Sequence, residues 1–141
     1  MKSMGATTRR ALGGVMLGGG ALMALYWGLY LSGPVDLGQS EPVVAAFESA
    51  FVLADTLLAL LLLIAGWALL SDRPVGPFVM TVAAAMSLYL GLLDLVFYAR
   101  RGLLASPSGT ALFELLLIGT CVLGGTACLG VGWELLAGDE S

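Results

Sequence analysis

Four apolar runs divide the chain, Ala11 to Leu31, Val44 to Leu69, Pro77 to Ala99 and Ala111 to Leu136, separated by short polar or charged stretches. Each run meets or exceeds the ~20 apolar helical residues that cross a hydrocarbon core of ~30 Å. None alternates with period two as a barrel strand must. Backbone in lipid also has to satisfy its own hydrogen bonds, so each run is predicted to be a transmembrane helix. The connections, Ser32 to Val43, Leu70 to Gly76 and Arg100 to Thr110, leave no room for a second domain. The pattern predicts an all-α, polytopic integral membrane protein. It is expected to form a single membrane domain over residues 1–141, a compact four-transmembrane-helix bundle with short terminal tails.

Composition agrees: 59% of the 141 residues are hydrophobic, 11% are charged, and the mean hydropathy is +0.97. A soluble domain of this size could not hide that much apolar surface. The net charge is −4 and the six basic residues are not clustered, so nucleic acid is not an expected partner. Lys2, Arg9 and Arg10 precede the first run in the manner of a signal peptide. That run is too long for a signal core and ends in Tyr26, Trp27, Tyr30 and Leu31 with no small-x-small cleavage site, so it is expected to be retained.

Orientation follows from the basic residues near span ends. With the N-terminus inside, Lys2, Arg9, Arg10 and Arg73 are cytoplasmic and Arg100 and Arg101 are outside. Four against two predicts a cell-membrane protein with both termini cytoplasmic.

Against this apolar background, Glu48, Asp55, Asp94 and Glu114 lie in or at the edge of the spans, where an ionisable side chain costs several kcal/mol and by default marks a functional site. Alternating helix direction brings all four to one side of the bilayer, whichever way the chain is inserted. In the second span Glu41, Glu48 and Asp55 recur every seven residues, nearly the same face, beside a small-residue ladder of Ala46, Ala50 and Ala54. In the third, the interior stripe is Met80, Ala84, Ser87, Gly91, Asp94, Tyr98 and Arg101. In the fourth it is Glu114, Ile118, Cys121, Gly125, Cys128, Gly132 and Leu135. Both follow the four-three spacing of a left-handed bundle. The glycines of the first span are expected to pack tightly toward the inside, and Gly14-xxx-Gly18 suits helix docking. Tyr26, Trp27, Tyr30, Ser87, Tyr98 and Arg101 are the candidate ligand-binding residues of an outward-facing pocket, with the four acids as the candidate catalytic groups.

The absence of histidine removes haem ligation and the usual general base, so no metal or other cofactor is expected. Cys121 and Cys128 are seven residues apart on one helix, roughly 10.5 Å by helix rise. A disulfide needs Cα atoms within ~7 Å, so both read as packing thiols. Carboxyl groups gathered in an apolar pocket can keep a neutral acid beside a carboxylate. Such a pair can protonate an alkene or epoxide of a lipophilic molecule and accept a proton elsewhere on it.

In architecture and residue type the chain resembles small polytopic membrane isomerases and cyclases of sterols and terpenoids. That resemblance implies isomerisation, cyclisation or epoxide opening of a terpenoid or lipid-like substrate by acids alone. Two other classes are weighed beside it. One is an accessory subunit packed on a larger membrane complex or on further copies of itself. The other is a proton-coupled exporter of hydrophobic cations, in which aromatic rings would assist an ionised acid. The four helices are also similar to small multidrug resistance transporters, but those carry an essential glutamate in the first helix, where this chain has no acid. Expected partners are membrane lipid, a lipophilic small molecule, and a membrane protein or a second copy of the chain.

Overall fold

The structure, a computed structural model, describes residues 4–32, 42–102 and 109–137. Over these the chain forms four helices: α1 (Ala6–Leu31), α2 (Pro42–Leu70), α3 (Gly76–Arg100) and α4 (Gly109–Ala137). All four are long and apolar enough to cross a membrane, and the chain is a multi-pass, all-α membrane protein. The helices overrun the apolar runs, α1 most of all, because arginine is a good helix former and the hydrogen-bond ladder does not stop at the hydrocarbon edge. Arg9 and Arg10 thus lie in the first turns of α1. Pro42 opens α2 and Pro77 follows the first residue of α3, sites where a missing N–H costs nothing.

Leu22, Leu53 and Leu123 are 69%, 81% and 73% exposed, which lipid accommodates and water would not. Exposed Thr56, Thr120 and Thr126 turn their hydroxyls onto the carbonyls of Val52, Leu116 and Val122, one turn back in their own helices, so they present no unsatisfied donor to lipid.

The chain falls into two compact units, one of residues 5–79 and one that begins at Met80. In the first, α1 and α2 pack as an antiparallel hairpin in a seven-residue register. A Cβ on Gly13 would lie 3.1 Å from the Gly66 carbonyl oxygen, and one on Gly20 would lie 2.9 Å from that of Ala59. Seven residues forward in α1 therefore match seven back in α2, the period of a left-handed pair. The small residues at the contact differ from the expected ones. Gly14 and Gly18 face open space, Ala46 and Ala50 are exposed, and the close approach uses Gly13, Gly20, Ala59 and Gly66.

The hairpin's far end is fixed by the turn after α2. Arg73 donates its backbone N–H to the Ala68 carbonyl and Asp72 donates to that of Leu69, a Schellman closure with Asp72 at its left-handed position (φ 55°). Glycine is the usual occupant. Here aspartate supplies a carboxylate that accepts a hydrogen bond from Arg9 at the start of α1. A left-handed non-glycine residue costs roughly 1 kcal/mol. An exposed ion pair returns about 0–1 kcal/mol, and the Asp72 side chain is 72% exposed. Asp72→Gly is therefore expected to leave stability unchanged, whereas Asp72→Ala keeps the backbone cost, loses the pair, and should melt in detergent about 1 kcal/mol less stable than the glycine variant. Equal melting of the two variants would show that the turn carries no strain.

In the second unit, α3 and α4 run antiparallel through another small-residue seam. A Cβ on Gly91 would come 2.7 Å from the Cys121 Cβ, and one on Gly125 would come 2.9 Å from the Ala84 carbonyl oxygen. Gly132 lies against Thr81 in the same way. Of the predicted interior stripes, Met80, Ala84, Gly91 and Tyr98 on α3 and Ile118, Gly125, Gly132 and Leu135 on α4 are buried. Ser87, Asp94, Glu114, Cys121 and Cys128 are half-buried, and Arg101, expected inside, is exposed because the α3 stripe runs out at the end of the helix.

Candidate functional site

In the α1–α2 hairpin the register brings Trp27 to Asp55. The indole N–H donates to Asp55 Oδ2 at 3.1 Å. Strict seven-residue stepping would set Trp27 opposite Val52, but side chains lean toward their helix's N-terminus, which here means toward the C-terminal end of α2. The lean carries the indole along to Asp55. Trp27 is 4% exposed and Asp55 is half-buried. An indole N–H is a donor only, so the bond fixes the carboxyl from one oxygen.

The donor sits within an aromatic group. Tyr26 meets the Trp27 ring edge-to-face at 5.1 Å and Tyr30 does so at 5.2 Å; both tyrosines are half-buried. On α2, Phe51 lies one turn before Asp55 and its ring tilts against Phe47 at 4.6 Å. The phenylalanines at i−4 and i−8 from Asp55 were not among the sequence candidates, although that spacing places them on the same face.

The site lies far from the Arg9–Asp72 contact. Trp27 is 18 residues beyond Arg9, roughly 27 Å along α1. Asp55 lies six residues, roughly 9 Å by helix rise, into the Ser49–Leu70 span. Glu48 lies on α2 but its side chain falls outside the described residues.

The remaining candidates belong to the α3–α4 unit. Asp94 and Glu114 are half-buried, Tyr98 is buried with its ring edge-to-face on Phe97 at 5.5 Å, and the Arg101 guanidinium lies over the Phe97 ring at 5.9 Å. Ser87 donates to the Cys121 carbonyl at 3.3 Å, stitching α3 to α4. The structure therefore brings Trp27, Asp55, Tyr26 and Tyr30 together in one hairpin and sets Ser87, Asp94, Tyr98, Arg101 and Glu114 in the other. No family model, curated protein or solved structure matches the chain.

Proposed function

We propose that the outer end of the α1–α2 hairpin binds a lipophilic small molecule against Asp55 and performs acid–base chemistry on it, of the isomerising, cyclising or epoxide-opening kind. The observation that supports this reading is the Trp27-to-Asp55 hydrogen bond inside an aromatic setting. An acid–base group needs a fixed orientation and an apolar partner surface, and here one donor supplies the first while four rings supply the second. Tyr26 and Tyr30 form the wall with the buried Trp27 behind them, Phe51 the rim, and Asp55 the proton donor and acceptor. Asp94 and Glu114 stand as further candidate acids on the α3–α4 unit. The test is the mass spectrum of an organic extract from the purified protein. A co-purifying apolar metabolite, retained by the unsubstituted chain and lost from Asp55→Asn, is the expected result; identical extracts from the two would sink the reading.

A second reading, an accessory subunit, is favoured by one feature of α1. Thr7, Ala11, Gly14, Gly18, Ala21, Leu25 and Gly28 follow four-three spacing along an exposed face, and a Cβ on Gly14, Gly18 or Gly28 would meet nothing within 4 Å. Co-purification of a stoichiometric membrane protein in place of a metabolite would favour it.

For the orientation we propose that the Arg9 end of the hairpin is cytoplasmic. In a chain with Cys121 and Cys128 replaced by serine, Ser32→Cys at the end of α1 should react with an impermeant maleimide in intact cells. Ser71→Cys in the α2–α3 turn should react only after lysis. The reverse pattern inverts the protein.

A further inference from the structure

Arg9, Arg10 and Arg73 are the only basic residues between Gly5 and Val79, and all three stand at one end of the hairpin, because Arg9 contacts the residue next to Arg73. Asp72 offsets one of the three charges. Arg10 and Arg73 are exposed, and the Arg73 guanidinium lies over the Trp67 ring at 5.7 Å. Trp67 is itself 54% exposed, one turn inside the end of α2. Tryptophan settles at the level of lipid headgroups, and stacking on it holds the guanidinium at that depth, with its planar fork presented to whatever lies beside the helix. The Arg9 Nε–H, on the residue that pairs with Asp72, is buried and meets no acceptor among the described residues. A net positive corner at headgroup depth, carrying a fork that matches phosphate oxygens, complements an anionic lipid.

We propose that the Arg10, Arg73 and Trp67 corner of the α1–α2 hairpin binds the phosphate headgroup of an anionic phospholipid. The lipid's phosphate bridges Arg73 and Arg10 while its chains lie along the exposed apolar flank of α2, where Leu60 and Ile64 stand on Trp67's side of the helix. The site is separate from Asp55, so its fate does not depend on the proposed chemistry there.

The experiment uses the full chain carrying Trp27→Phe and Trp133→Phe, which leaves Trp67 as the sole tryptophan reporter. It is reconstituted in vesicles of phosphatidylcholine mixed with phosphatidylglycerol, with brominated acyl chains placed on one lipid or the other. Brominated phosphatidylglycerol should quench Trp67 more strongly than brominated phosphatidylcholine at equal mole fraction. Arg73→Gln should lower that preference about fivefold, and adding Arg10→Gln should abolish it, from the worth of one basic residue near an anionic surface. Arg73→Lys should retain part of it, since charge remains without the fork. Equal quenching by the two lipids, or a preference indifferent to both arginines, overturns the proposal. Circular dichroism of each variant checks that the helices persist.

Discussion

Gly66→Ala should lower the stability of the protein by about 1–3 kcal/mol, the cost of forcing extra atoms into a closed contact. A Cβ at position 66 would lie 2.7 Å from the Gly13 carbonyl oxygen and 2.8 Å from the Leu17 amide nitrogen. Both are backbone atoms, so no rotamer change in α1 relieves the clash, and the two helices must move apart. Losing that approach also loosens the register that delivers Trp27 to Asp55. The comparison that isolates the effect is Gly18→Ala, at a position where a Cβ meets nothing within 4 Å. Removing a glycine from a helix interior there should be neutral or stabilising by up to roughly 1 kcal/mol. Unfolding in detergent on titration with a denaturing surfactant measures both. Similar losses in the two variants would mean that the hairpin seam is not where the structure places it.

That contrast between Gly66 and Gly18 also marks how far the sequence could be read. Spans, helix count and class were legible because hydropathy responds to lipid directly, and stripes on α3 and α4 were legible because Asp94 and Glu114 each anchor a four-three series, although Thr120, Gly124, Thr126 and Gly130 stand exposed outside the α4 stripe. The first helix defeats the same logic. Gly13, Gly14, Gly18, Gly19 and Gly20 spread around its circumference, and apolar residues fill the rest, so no moment separates a packed face from a lipid-facing one. In water, polar residues would mark the outer face; in lipid nothing needs to. The Gly14-xxx-Gly18 motif therefore fits the docking pattern, yet the seam runs through Gly13 and Gly20, one and two positions away.

The site was legible in its residues and hidden in its pairing. Asp55 stands out as an acid inside an apolar span, and Trp27 as an aromatic residue near the end of one. Joining them required the seven-residue register between helices and the lean of side chains along a helix, neither of which hydropathy reports. Phe47 and Phe51 carry no signal in the sequence alone, because phenylalanine in a membrane helix is unexceptional until its neighbour on the same face is known to be a carboxyl group. For Asp72 the signal was present but mute: an aspartate two residues past a helix end reads as an ordinary polar turn, and its left-handed φ and its Arg9 partner emerge only in three dimensions.

Three substitutions at the Trp27–Asp55 contact should separate a working acid from a structural one. Asp55→Asn keeps a carbonyl oxygen that can still accept from the indole, so the fold should stay within about 1 kcal/mol of the parent, inside the range of interhelical hydrogen bonds in membranes. It cannot exchange a proton, so retention or turnover of the lipophilic molecule should fall tenfold or more, about 1.4 kcal/mol in binding terms at the least. Asp55→Leu removes the acceptor altogether and leaves the indole N–H of a tryptophan that is 4% exposed without its partner, which should cost about 1–3 kcal/mol of stability as well as the activity. Trp27→Phe removes the donor and part of the ring volume but spares the acid. It should lose stability by a similar amount while keeping some activity, because the carboxyl group remains with its orientation loosened. Detergent melting of the three variants, read beside ligand retention, decides the matter. Loss of retention in Asp55→Asn at unchanged melting temperature assigns the carboxyl group to chemistry or binding. Full retention in Asp55→Asn, with both Asp55→Leu and Trp27→Phe destabilised, assigns it to holding α1 against α2 and moves the function of this end of the hairpin elsewhere.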